Sequence, residues 1–207
     1  MFLRVPHKTI VVPPLYSIKI IILLIFRLQI IYMVKIGLQV RAQLENVTDL
    51  KPDGEDFRWY LKLKCVGCGE TPDHWQYVTS SEKTAVKGGR GDANAVIKCK
   101  LCSRENSIDI LTESIGRYSY EDSEANKFTT IVAFDCRGLE PVDFDPRVGW
   151  VATGYKIATE DDDTENHVTG TIFGDIDLSE KEWADYDDKS EESTFISDFQ
   201  CQFVKIK

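Results

Sequence analysis

The chain of 207 residues is 43% hydrophobic and 29% charged, a globular balance that excludes a disordered or fibrous polymer, and its length suits one ordinary domain or two small ones. Its net charge is −9. Residues 1 to 32 hold four bases and no acid, which leaves 21 bases against 34 acids, or −13, in the rest, and so acidic a body counts against broad electrostatic binding of DNA or RNA.

The first segment met along the chain, "TIVVPPLYSIKIIILLIFRLQIIYMV" at 9 to 34, is strongly apolar. Its uninterrupted run, Ile20 to Phe26, is seven residues long, whereas a spanning helix wants ~20, and Arg27 would cost ~2.5–3.5 kcal/mol at a bilayer centre. No small-residue cleavage site follows. Residues 1–32 therefore read as an extension outside the fold, with Met33 as the start or an alternative start of the folded part. A membrane is expected as a partner only if this extension anchors the chain, and the expected location is cytoplasmic.

The body begins with period-two patterning. In "IGLQVRAQL", Ile36, Leu38, Val40, Ala42 and Leu44 share one side while Gln39, Arg41 and Gln43 share the other. "FRWYLKLKC" repeats this with Phe57, Trp59, Leu61, Leu63 and Cys65 against Arg58, Lys62 and Lys64, the mark of half-buried strands. Similar stretches lie at 96–99, 107–111, 129–136, 170–178 and 195–206. The best helical candidate is Ser179 to Lys189, where "SEKE" resembles a capping box. The expected fold is mainly β, with antiparallel strands.

An internal echo sets Phe57 eight residues before Cys65 and Phe128 eight before Cys136, with "CVGCGE" facing "CRGLE" and "IKCKLC" facing "FQCQFV". It predicts two pseudo-symmetric β units within residues 33–207, about 33–120 and 121–207, of which only the first keeps a full ligand set. "TEDDDTENH" at 159–167 and "DYDD" at 185–188 read as solvated acidic segments, since neither fits a calcium loop or defines an acid–base pair.

Six cysteines are too few for a disulfide scaffold, and four of them form two tight Cys-x-x-Cys pairs while Cys136 and Cys201 stand alone. Each pair supplies half a tetrahedron, and Gly67 and Gly69 relieve crowding around the first turn. Cys65, Cys68, Cys99 and Cys102 together give four thiolates at ~2.3 Å from one Zn2+ ion, a closed shell that implies structure rather than catalysis. Iron would also accept four thiolates. A thiol redox or metal-transfer protein using the same pairs is the competing reading, but the flanks resemble β-hairpins rather than the βαβ setting of a redox motif.

His74, six residues after Cys68, reads as a surface or supporting residue because four cysteines already complete the set. His7 and His167 carry no role. "KGGRGDA" at 87–93 lacks the Gly-Lys-Ser/Thr ending of a phosphate loop and reads as a turn between strands. A nucleic-acid reading would use Trp59, Trp75 and the basic tip near Arg90 as a single-strand platform; the acidic charge argues against it.

The stretches "ENVTDLKPDGEDFRWYLKLKCVGCGE", "KGGRGDANAVIKCKLCSRENSI", "FDCRGLEPVDFDP" and "DYDDKSEES" resemble the eukaryotic CXXC motif containing zinc binding protein family. The resemblance runs from Met33 to Lys207; the residues before Met33 have no counterpart in it. It implies a small, mainly β protein of two pseudo-symmetric halves, with zinc on Cys65, Cys68, Cys99 and Cys102 and no established enzymatic activity. The expectation is a non-catalytic, monomeric zinc-binding protein with one structural ion, no catalytic residues, and an unidentified protein partner rather than nucleic acid.

Overall fold

The computed structural model describes residues 34–87, 91–158 and 166–206. The expectations for residues 1–33, for the tip of the 87–93 turn and for most of the 159–167 loop lie outside the described residues.

The predicted alternation is realised in β1, Val34–Glu45, where Ile36, Leu38, Val40, Ala42 and Leu44 are buried and the residues between Gln39 and Gln43 that separate them face outward or sit half-buried. A single bend residue, Asn46 with φ 55°, separates β1 from β2, Val47–Pro52, which joins a different sheet. β3, Trp59–Cys65, alternates without a break. β4, Gln76–Val78, is short, and β5, Thr84–Ala85, pairs with β6, Asp92–Ala93, Thr84 standing opposite Ala93. β7, Ala95–Lys98, and β8, Glu105–Leu111, close the first half.

A 3-10 turn at Thr112–Ser114 leads to α1, Tyr120–Glu124, capped by the Ser119 hydroxyl, which accepts from Asp122 N–H at 3.2 Å. The second half holds β9, Thr129–Arg137, β10, Leu139–Asp145, β11, Val148–Lys156, β12, His167–Asp177, β13, Trp183–Asp187, and β14, Glu192–Ile206. The helix expected over 179–189 does not form. Trp183–Asp187 pairs instead with β14, Trp183 opposite Ile196 and Asp187 opposite Glu192, so tertiary pairing overrides a local signal that a capping box alone supplied. Among the described residues no helix is long and apolar enough to cross a membrane.

All the sheets are antiparallel. The largest runs β13-β14-β1-β9-β8-β7; two smaller ones run β10-β3-β4 and β2-β11-β12. Exchanging β1 with β9, β2 with β10, β3 with β11, β4 with β12, β7 with β13 and β8 with β14 turns the large sheet into itself and each small sheet into the other. The molecule therefore has two pseudo-symmetric halves. Their register differs from the echo read in the sequence, which matched β3 with β9 and Cys65 with Cys136. Strand pairing places Cys136 opposite Ile108 in the first-half neighbour β8, as Leu44 of β1 stands opposite Ile196 of β14. Cys136 thus answers to Leu44. Alternation makes any two strands look alike, which is why the sequence match slipped.

One buried cluster draws on all three larger sheets. At its centre Trp59 and Trp150 meet edge-on at 6.3 Å, Trp59 against Phe134 of β9 and Trp150 against Phe199 of β14. The Trp150 indole N–H donates to Pro146 O at 2.7 Å, so its one polar atom is satisfied. Trp59 is 1% exposed, which removes it from any base-stacking platform; Trp75 lies under the Lys62 ammonium instead.

Candidate metal centre

β3 runs into the first Cys-x-x-Cys turn. Gly69, at φ 81°, donates its N–H to Cys65 O at 2.7 Å, and Cys65 N–H donates to Glu70 O at 2.8 Å. β7 runs into the second turn, where Cys99 N–H donates to Arg104 O and Ser103 N–H, at φ 59°, donates to Cys99 O, both at 2.9 Å. The turns interlock: a Cβ on Gly67 would lie 2.5 Å from the Arg104 guanidinium, so the bare glycine leaves the space in which Arg104 of the second turn lies against the first.

This brings the four predicted sulfurs together. Cys65 Sγ stands 3.7 Å from Cys102 Sγ and Cys68 Sγ 3.5 Å from Cys99 Sγ, and all four ligand atoms lie within 4.8 Å of one another. A tetrahedron with ~2.3 Å zinc–sulfur bonds has edges of ~3.8 Å, so the donor set fits a tetrahedral ion. Among the described residues it is the one cluster of this kind. Cys65 and Cys99 are buried, while Cys68 and Cys102 form the outer side.

The electrostatics also suit a cation. Burial opposes ionisation of the Cys65 thiol, yet the N–H groups of Cys68 and Gly67 and the neighbouring sulfurs bring it down to about 7. Cys99 is lowered mainly by the Cys102 N–H. Cys68 receives the Glu70 N–H, but burial and the three surrounding sulfurs push it up to about 12. Without a cation the four cannot ionise together; a divalent ion removes that conflict.

Asn106, 4% exposed, reaches the same centre from β8: its side-chain Nδ2 donates to Cys65 Sγ at 3.7 Å. A Cβ on Gly138, at φ 78°, would collide with the Asn106 carboxamide oxygen. Beside the sulfurs opens a cleft of about 260 Å3, floored by Leu63, Ile97 and Leu139. His74 lines it, 3.4 Å from Gln76 Nε2, and takes no part in the sulfur cluster. Cys136 is buried in β9 with its thiol pushed up to about 12 by burial, and Cys201 sits half-buried in β14; neither joins the centre.

The other half answers with a carboxylate. Asp187, 0% exposed, ends β13, and Glu191 N–H, at φ 59°, donates to its carbonyl at 2.8 Å, the same turn as Ser103 to Cys99. Its carboxylate accepts from the hydroxyls of Thr169 and Thr171 at 2.5 and 2.6 Å and from Lys189 N–H at 3.0 Å. Ser190 N–H donates as well. Gly154 takes the place of Cys65, and a Cβ on it would strike Asp187 and Thr169. The sequence reading of "DYDD" as solvated thus fails at Asp187, and it missed Asn106. The signal for Asp187 was its place ahead of a turn matching that of Cys99, visible only in the correct register.

A family model described as CXXC motif containing zinc binding protein, eukaryotic, matches residues 37–204. The CXXC motif containing zinc binding proteins of Mus musculus and Homo sapiens are 55% and 54% identical to this chain over 171 residues, 83% of this chain and 98% of each relative. The crystal structure of C1orf123 matches with a TM-score of 0.73 at 53% identity, covering 83% of this chain and 99% of its own. A hypothetical protein from Plasmodium falciparum, at 22% identity and a TM-score of 0.68 over 82% and 99% of the two chains, shares the fold.

Proposed function

The chain belongs to the eukaryotic family of CXXC motif containing zinc binding proteins, and from that premise we propose that it is a non-catalytic protein in which Cys65, Cys68, Cys99 and Cys102 hold one structural Zn2+ and whose surface serves protein interaction. The observation that carries this reading is the convergence of four sulfurs within 4.8 Å from two separate turns. Four thiolates fill a tetrahedral shell, so no position is left for a reacting water or substrate. The ion supplies fixed bonds between the turns at the ends of β3 and β7, worth ~10–16 kcal/mol in small zinc domains, the scale of a whole domain's stability.

Metal analysis of the purified full chain with intact mass tests the reading. One zinc per chain is expected, and chelation should abolish near-UV circular dichroism. A metal-free form that stays folded and soluble would overturn it. Turnover of a disulfide substrate by the zinc-loaded protein would favour thiol chemistry instead, because a closed shell leaves no thiolate free to attack.

A further inference from the structure

We propose that Val66 and Leu101, the tips of the two cysteine turns, form a docking face for an acidic segment of another protein that presents an aromatic side chain. The proposal rests on the reading of the centre as a structural zinc site and names the class of partner.

Val66 is 62% and Leu101 67% exposed. They adjoin Cys65 and Cys102, whose sulfurs are 3.7 Å apart, so both crown one centre. The apolar cleft floored by Leu63, Ile97 and Leu139 begins at their chain neighbours Cys65 and Lys100.

Basic side chains gather at this face. Segments 62–69 and 96–104 contain Lys62, Lys64, Lys98, Lys100 and Arg104, with Glu70 and Glu105 directly beyond them, in a chain of net charge −9. A zinc ion with four thiolates carries a charge of about −2, so the basic character of this face lies in the side chains left without a counter-charge. Lys62 and Lys64 are ion-paired with Asp143 and Glu140, whereas Lys98 and Lys100 have no ion-pair partner among the described residues. Desolvated next to an acidic partner, those two lysines supply orientation and speed of encounter.

The second half shows what covers such a face. Val66 N–H donates to Gly138 O and Tyr155 N–H to Asn46 O, at 3.0 and 2.9 Å, so Tyr155 is the counterpart of Val66. Tyr155 is only 9% exposed. The ring of Tyr120, the first residue of α1, lies 4.9 Å from it, and α1 reads Tyr-Glu-Asp-Ser-Glu. Leu101 is answered by Lys189, whose ammonium is tied to Gly170 O at 2.6 Å. α1 sits in the link from β8 to β9, and no described element takes the related place over Val66. Among the described residues, one turn tip is thus covered by a short acidic segment bearing an aromatic ring, while its mate is exposed beside two lysines without an ion pair.

Selection of a random peptide library on the immobilised, zinc-loaded full chain tests the proposal. Enriched peptides should carry Tyr, Phe or Trp beside two or more Asp or Glu, and a synthetic peptide of that consensus should bind at least ~10-fold more weakly to Leu101→Glu and to Lys98→Glu/Lys100→Glu, both with wild-type zinc content. Val66→Glu provides the same comparison where Leu101→Glu loses metal. The proposal is overturned by zinc-loaded protein that enriches no such peptide, or by binding that all three variants retain. It is equally overturned if sedimentation shows a dimer that Leu101→Glu dissociates, since the occupant is then a second copy. Wild-type protein that holds no zinc would instead sink the structural-zinc reading.

Discussion

Cys99 and Asp187 hold equivalent places in the two halves of the molecule. Each stands where an edge strand of the six-stranded sheet gives way to a turn, and each has its carbonyl capped four residues on by an N–H from a residue at φ 59°. The backbone N–H groups two and three residues on, from Leu101 and Cys102 in one half and Lys189 and Ser190 in the other, point at the Cys99 sulfur and the Asp187 carboxylate respectively. The same turn therefore presents an anion in both halves. In the first, the anion is one of four and needs a cation; in the second, two threonine hydroxyls complete its shell.

It follows that the second half is clasped without metal. Asp187→Ala leaves four donors facing a void and should cost about 3 kcal/mol in urea unfolding of the zinc-loaded protein, with zinc content unchanged. The pH dependence has a definite sign. Burial would raise the Asp187 carboxyl, but the bonds from Thr169, Thr171 and the two N–H groups hold it below its ordinary value. A depressed carboxyl contributes stability that is fully present above the unfolded value, ~3.9, and is lost as pH falls through the lower folded value. Asp187→Asn should flatten that part of the acid limb of an unfolding curve measured between pH 2 and 5.

Gly154 should depend on the same carboxylate. Its missing Cβ is the space that Asp187 and Thr169 occupy, and both of those side chains are fixed by hydrogen bonds rather than free to swing away. Gly154→Ala should destabilise by about 1–3 kcal/mol, as overpacking does. In the Asp187→Ala background the added methyl finds room, so the double mutant should be clearly less destabilised than the sum of the singles. Additive effects would show that Gly154 is constrained by something else.

Much of this was legible from residue order. The alternation in β1 and β3 and the pairing of cysteines that the fold brings together could be read directly, because strand faces repeat every two residues and a Cys-x-x-Cys pair announces its own geometry. The register between the halves could not, since Phe57 to Cys65 and Phe128 to Cys136 share only an alternating pattern that every strand here has. β13 was hidden for another reason: Glu180, Glu182, Asp185 and Asp188 give the stretch around it the composition of a solvated helix, while its strand state comes from pairing with β14. Asp187 looked like its acidic neighbours because burial of a carboxylate depends on Thr169 and Thr171, 18 and 16 residues away.

A lone and a paired cysteine separate packing from metal binding. Cys136→Ser should keep one zinc per chain and lose about 1–3 kcal/mol, because a hydroxyl replaces a thiol in an apolar setting. Cys65→Ser should lose zinc and give insoluble protein. Elemental analysis normalised to protein concentration distinguishes the two; zinc loss in Cys136→Ser would show that the correspondence of Cys136 with Leu44 is mistaken.

Asn106 should govern how long the ion stays. Its amide N–H approaches Cys65 Sγ at 3.7 Å while its carboxamide oxygen is buried against Gly138 without a partner among the described residues. An orphaned buried acceptor costs about 1–3 kcal/mol, so Asn106→Leu removes one unsatisfied group as it removes the N–H···S contact. Global stability should therefore change little, while the rate of zinc release to a chromogenic chelator rises ~10-fold or more, the scale of effect seen when a group supporting a metal ligand is lost. Gly138→Ala should speed release and also destabilise, since its φ of 78° disfavours any Cβ and the new methyl would push the Asn106 amide off Cys65. Release rates equal to wild type in both variants would show that the backbone N–H groups of Gly67 and Cys68 hold the Cys65 thiolate unaided.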